Sequence, residues 1–139
     1  MEQNSFSEIT PEIVRLANMS QQAGIIDTDL FTKFDVKRGL RDLNGKGVLA
    51  GLTNISDVRA NKIVDGVQVP THGKLFYRGY NVQDLVNGLS TDGRFGFEEV
   101  TYLLLFDRLP DGKELADFTK LLNSYRSLPT GFVRDIIMK

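Results

Sequence analysis

The ten-residue span Phe97–Phe106 sets the terms on which this chain can fold. Phe97, Val100, Tyr102, Leu103, Leu104, Leu105 and Phe106 lie within one short span, and on a helix they cover almost every side. An amphipathic surface helix shows one apolar stripe, whereas a helix that is apolar nearly all round is buried on most sides. The spacing predicts a helix over Phe97–Arg108 that is stopped by Pro110 and packed against several neighbours.

The flanking sequence supplies further helices. Thr10-Pro11 reads as an N-cap followed by proline at the first helical position. Ile13, Leu16 and Ala17 then form a narrow stripe that predicts a helix on a surface or against a partner, closed by Gly24. Asp27 is placed to cap a second short helix containing Leu30, Phe31 and Phe34. Asn81 caps Val82–Asn87, with Gly88 as the stop, and Leu89–Gly96 reads as a loop. Asp111-Gly112-Lys113-Glu114 has capping-box form with aspartate as the cap. It opens a helix whose face is Leu115, Phe118, Leu121, Leu122 and Tyr125. After the break at Ser127–Pro129, Thr130 caps a last helix striped by Phe132, Val133, Ile136 and Ile137. That helix has no stop signal before Lys139, and the expectation is a polypeptide that continues.

Between these helical stretches the pattern changes. Gly39, Gly45, Gly47, Gly51, Gly66, Gly73 and Gly79 exclude long helices. Short β-prone pieces sit between them: Val48–Leu52, Ile55–Val58, Lys62–Val64, Val67–Val69 and Leu75–Tyr77. Asp65-Gly66 is a two-residue hairpin signal, because both positions accept positive φ. The expectation is a small, irregular antiparallel β region around residues 47–78, too thin to stand alone and leaning on helices.

Little chemistry is visible in the residues themselves. The chain has 17 basic and 18 acidic residues and a net charge of −1, which gives no electrostatic reason to expect nucleic acid or a membrane as partner. There is no cysteine, so disulfides and thiol chemistry are excluded. The single histidine, His72, excludes a histidine-rich metal site and a histidine pair for acid–base work; it reads as an exposed loop residue. No stretch is long and apolar enough for a signal peptide or a membrane span, so the default compartment is the cytoplasm. Glu98-Glu99 suits the positive end of a helix better than acid–base work. The arginines and glycines of Arg38–Val48 are open to two readings, an anion site or a solvated turn. In Tyr77-Arg78-Gly79-Tyr80 the arginine reads as a lock between the β region and the following helix, through carbonyls or a carboxylate, in preference to a ligand contact.

Taken in order, Gly39-Leu-Arg41, Gly47-Val48-Leu49-Ala50, Thr53-Asn54-Ile55-Ser56-Asp57-Val58, Gly73-Lys-Leu-Phe-Tyr77-Arg78-Gly79-Tyr80 with Asp84-Leu85, and Phe97–Phe106 with Leu109-Pro110 resemble the opening region of a citrate synthase. Arg126-Ser-Leu-Pro129 fits the same family's helix ending. The segment Arg59–His72 is longer than the turn many members have, and the helical leader before Lys37 is variable among them.

The resemblance implies part of the citrate synthase fold, mainly α-helical, with residues 1–36 as a helical leader and 37–139 as the amino-terminal part of the large domain. It implies a homodimeric acyltransferase that joins acetyl-CoA to oxaloacetate, giving citrate and CoA without a metal or a resident cofactor. In that family a histidine and an aspartate handle the α-proton of acetyl-CoA, a second histidine polarises the oxaloacetate carbonyl, and arginines hold the carboxylates. All of these fall beyond the equivalent of Lys139. No catalytic residue is therefore expected in this chain, which needs the rest of the same polypeptide to act. One position carries over: Arg41 matches a family position that lies near the phosphates of CoA. Two alternatives stand beside this reading, a 2-methylcitrate synthase using propionyl-CoA and a stand-alone dimerisation or binding module without catalysis.

Overall fold

The computed structural model of the chain describes residues 8–37, 39, 48–128, 131–132 and 136–138. Five helices and one small antiparallel sheet account for them. In chain order they are α1 (Pro11–Ala23), α2 (Asp29–Lys33), β1 (Ser56–Val64), β2 (Val67–Tyr77), β3 (Tyr80–Asn81), α3 (Val82–Thr91), α4 (Phe97–Phe106) and α5 (Gly112–Ser124).

The helix starts follow their local signals. Thr10 Oγ1 accepts the Ile13 N–H at 3.3 Å, with Pro11 next to it, and Gly24 caps the other end of α1. The Asn81 side chain accepts from Gln83 N–H at 3.0 Å. At α5 the capping box is complete: Glu114 N–H donates to Asp111 Oδ1 at 2.8 Å, and Asp111 N–H donates to Glu114 Oε2 at 3.0 Å. Asp27 acts one step earlier than a helix cap, with its carboxylate accepting from Asp29 N–H at 2.9 Å, while Thr28 is the N-cap residue of α2.

Two stops differ from the sequence reading. α3 runs through Gly88 to Thr91 and ends before Gly93, which takes the left-handed conformation at φ 63°. A helical glycine costs about 1 kcal/mol relative to alanine; Leu85 and Leu89, one turn apart on the half-buried side, continue the packing face across it. α4 ends at Phe106, not Arg108, because Asp107 turns left-handed at φ 64°.

The core lies where α4 meets α1 and α5. Tyr102, Phe106 and Phe118 form an edge-to-face triad with ring centroids 4.5, 5.4 and 5.9 Å apart. Leu16 and Met19 of α1 and Leu122 of α5 pack against it. α1 thus meets the body of the chain through Leu16 and Met19, while Ala17 of the predicted stripe is exposed. Of α4 itself, Tyr102, Leu103 and Phe106 are buried, but Phe97 is 68% exposed and Leu105 42%. The expectation of a helix covered on most sides is met on one side only by the described residues. Leu89 packs closely over Gly96 before it: a Cβ there would lie 2.2 Å from Leu89 Cδ1, so the leucine side chain would have to move.

The β region is more regular than expected. The short pieces predicted from Ile55 to Tyr77 merge into two long strands, and Val48–Leu52 is not a strand at all. The sheet order is β1-β2-β3. Asp65 and Gly66 form the tip with φ of 51° and 77°. Ser56 pairs with Tyr77 and Val64 with Val67, with one irregularity between Arg59 and Asn61, where Thr71, His72 and Gly73 of β2 stand against Ala60 alone. Those residues absorb the glycine that looked like a breaker. All nine positions of β1 are exposed; only the base of the hairpin leans on a helix, α3. Most of the helix predicted from Thr130 lies outside the described residues. Of its predicted stripe Phe132 is half-buried, and Ile136 and Ile137 are exposed.

Candidate functional site

Arg78 occupies the junction of three elements. The β2–β3 turn is closed by the Tyr77–Tyr80 pair, and its two corners, Arg78 and Gly79, have φ of 47° and 83°. That geometry sends the Arg78 side chain inward, where it is 3% exposed. Nε and Nη2 donate to Leu104 O at 3.2 and 3.0 Å. Nη1 donates to Ala23 O at 3.0 Å and to Asn54 O at 3.4 Å. Asp107 Oδ1 lies 3.7 Å from Nε. The planar guanidinium, with five N–H donors in a fixed fork, is thus spent on backbone carbonyls. It is a lock, as its sequence setting suggests, and not a ligand contact.

Next to this lock a pocket of about 190 Å³ opens between the α1–α2 connection and the approach to β1. Its walls are Ile25, Ile26, Leu30, Phe34 and Leu52, with Asp27, Thr53 and Asn54 at the polar side. Asn54 Nδ2 donates to Ala23 O at 2.9 Å, which joins the two walls. Further along, Lys37 N–H donates to Leu49 O at 2.8 Å. The glycine-rich stretch that carries Arg41 therefore leaves and returns at one point. Arg41 itself lies outside the described residues.

Other polar groups that the sequence singles out form structural pairs. Glu98 accepts from Arg126 at 2.8 Å, and Glu99 pairs with Arg94; both glutamates sit in the first turn of α4, where they face the positive end of its dipole. His72 is exposed on β2. One cluster was not visible in the sequence. Arg108 forks onto Glu114 at 2.5 and 2.7 Å, and its Nη2 also donates to the Tyr102 hydroxyl at 3.2 Å. The Arg108 guanidinium and the Asp111 N–H hold the Glu114 carboxyl down at about 2, whereas burial pushes the Tyr102 phenol up. The only advance sign was the position of Glu114 in the capping box. Among the described residues no three His, Cys, Asp or Glu side chains are grouped to hold a metal, and no helix is long and apolar enough to cross a membrane. None of these groups forms a nucleophile–base pair. The described part of the chain presents scaffold, a small apolar pocket beside the lock and an open groove lined by Met19, Ala23 and Phe106.

The family described as "Citrate synthase, C-terminal domain" matches residues 40–139. A protein named 2-methylcitrate synthase 2 from Corynebacterium glutamicum is 39% identical over 102 residues, which are 73% of this chain and 21% of that protein. A protein named citrate synthase from Saccharolobus solfataricus is 36% identical over 94 residues, 68% of this chain and 19% of that one. One from Haloferax volcanii with the same name is 35% identical over 97 residues, 70% and 20% of the two chains. The chain thus spans about a fifth of the length of the curated relatives it matches. No solved structure gives a significant match.

Proposed function

The chain belongs to the citrate synthase family, and on that premise we propose that it is the amino-terminal portion of a soluble, cytoplasmic acyltransferase, a homodimer that condenses acetyl-CoA with oxaloacetate to give citrate and CoA. The observation that carries the reading is the continuous family match over residues 40–139. On this reading residues 1–36 are a helical leader and 37–139 belong to the large domain. The 139 residues contribute framework: the three-ring core, the Arg78 lock and the segment that bears Arg41. Arg41 meets the phosphates of CoA, a role suited to a fork of N–H donors that stays charged at any working pH. Acid–base work on the acetyl group falls to residues outside these 139, since the one histidine, His72, stands on an exposed strand.

A second reading keeps the family and changes the acyl donor. The Corynebacterium protein that shares 39% identity is named a 2-methylcitrate synthase, which favours propionyl-CoA as the donor. The two readings differ by one methylene in an acyl pocket, worth about 1–3 kcal/mol of discrimination.

The test is release of free CoA from acetyl-CoA or propionyl-CoA in the presence of oxaloacetate. The 139-residue chain alone should give none, and turnover above a blank would overturn the scaffold assignment. A chimera in which residues 40–139 replace the matching region of the Corynebacterium enzyme should release CoA. A folded chimera with no activity on either donor would count against the family role.

A further inference from the structure

β1 presents a free edge along one side of the sheet. Every position from Ser56 to Val64 is exposed, and β2 is the one described element it packs against extensively. The ladder fixes which backbone groups face outward. Arg78 N–H donates to Ile55 O at 2.8 Å, and Asp57 pairs with Phe76 and Arg59 with Lys74 in the same register. Hydrogen-bonded and non-bonded pairs alternate along an antiparallel ladder, so Ile55, Asp57 and Arg59 turn their N–H and C=O groups towards β2. Ser56, Val58 and Ala60 turn theirs away from it. Such an edge is a template for another strand. The opposite edge, on β2, is blunted by Pro70 and by the irregularity over Thr71, His72 and Gly73. Ser56–Ala60 carries neither proline nor glycine, and its pairing is regular as far as Arg59.

The side chains identify the occupant. Arg59 stands directly opposite Lys74, a like-charge cross-strand pair that is unfavourable by itself. Within the chain its Nε donates to Asp57 Oδ2 at 2.6 Å, and its Cζ lies 4.4 Å from the Phe76 ring centroid. Its Nη groups have no acceptor among the described residues. Two copies of β1 aligned antiparallel about Val58 place Asp57 of each opposite Arg59 of the other, on both sides of the two-fold axis. The same alignment sets Val58 against Val58 and Ser56 against Ala60, the residues whose backbone groups face outward.

We infer that the outer edge of β1 is an interface between two copies of this chain, joined antiparallel over Ser56–Ala60 by main-chain bonds and reciprocal Asp57–Arg59 pairs, so that two hairpins form one continuous sheet. A symmetric contact of this kind uses the same patch twice. The main-chain bonds supply the affinity and the charges set the register. The interface does not depend on the acyl-transfer reading, and its small area corresponds to a weak dimer.

The experiment follows the mass of the 139-residue chain by sedimentation across a concentration series, for wild type, V58P, D57R, R59D and the double variant D57R/R59D. The Val58 N–H faces away from β2, so proline there keeps the β1–β2 ladder and removes a donor from the outer edge; its urea midpoint should match wild type. Wild type should pass from monomer to dimer, and V58P should stay monomeric. D57R and R59D should each weaken the dimer by about tenfold or more, because opposite charges become like charges on both sides of the axis. The double variant sets opposite charges against each other again and should recover the dimer. Exchange of the Val58 amide should slow as concentration rises, while the Arg59 amide, which faces β2, stays constant. A wild type that is monomeric throughout, a dimer that survives V58P, or a double variant no tighter than the single ones overturns the inference. Should V58P lower the urea midpoint, the charge exchange and the Val58 amide decide between the same two results.

Discussion

Arg78 and Leu104 are 26 residues apart in sequence, yet the Arg78 guanidinium donates twice to the Leu104 carbonyl, at 3.2 and 3.0 Å. Leu104 lies in the last turn of α4, and Ala23, which accepts from the same side chain, is the last residue of α1. Helix C-termini leave carbonyls without intrahelical donors and carry a partial negative charge. One buried cation therefore answers two helix ends and pins the β2–β3 turn between them. The turn that delivers it is itself built from a positive-φ pair, so local backbone and long-range packing depend on the same residue.

Removing the guanidinium should be costly. R78M leaves the Leu104 and Ala23 carbonyls without their charged donor, and a loss of about 2–4 kcal/mol is expected from charge-assisted bonds of roughly 1.5–3 kcal/mol each, partly replaced by water. R78G loses the same bonds but relieves the left-handed strain of about 1–2 kcal/mol. It should therefore be the more stable of the two. Urea midpoints at constant slope measure the difference; R78G no more stable than R78M would mean that φ 47° carries no strain.

Glu114 makes stability depend on acid. Its carboxyl is held at about 2, below the usual value near 4.5, chiefly by the Arg108 fork. A folded-state value below the unfolded one adds stability that is complete above pH 4.5 and is lost as pH falls towards 2. E114Q should therefore be less stable than wild type at pH 6, and the gap should close between pH 4.5 and 2. Urea midpoints across that range check it. A gap constant with pH would mean that the capping bonds, and not the ion pair, carry the effect.

The aromatic triad concentrates the core in few side chains. Phe118 touches both Tyr102 and Phe106, with centroids at 5.4 and 5.9 Å, and it joins α5 to α4. F118A should cost about 3–5 kcal/mol through lost burial and the cavity it leaves, while F118L should cost less. Loss of cooperative thermal unfolding in F118A, with F118L intermediate, is the expected outcome. Equal behaviour of the two variants would show that ring packing adds nothing beyond volume.

What the sequence showed in advance follows from how local each interaction is. Thr10, Asn81 and the Asp111–Glu114 box were legible because a cap is a bond over two or three residues. Gly88 and Gly96 were not separable by such reasoning. Gly88 has open space around it and sits inside a helix, whereas Gly96 lies under the Leu89 side chain, a contact set by packing. The long strands were fragmented in the sequence reading because Gly73 looks like a break until β2 places it in an irregularity opposite Arg59 and Asn61. Val48–Leu52 has strand composition but no strand, since propensity there yields to the closure at Leu49. Of the candidate site, the locking role of Arg78 was foreseeable from its setting. Its partners, 26 and 55 residues away, were not. The Arg41 assignment came from resemblance alone, and that residue lies outside the described ones.

The hairpin tip offers the cleanest separation of local from global stability. Asp65 and Gly66 both hold positive φ, at 51° and 77°, and every residue of β1 is exposed. G66A places a side chain where glycine is favoured and should weaken the turn by about 1–2 kcal/mol, whereas D65N keeps a residue that accepts this conformation. Because only the base of the hairpin leans on α3, the loss should stay local. Exchange at the Val64 and Val67 amides, which pair across the tip, should rise in G66A, with the urea midpoint of the core unchanged and D65N close to wild type. A lowered core midpoint in G66A would mean that the hairpin and the aromatic triad fold as one cooperative unit.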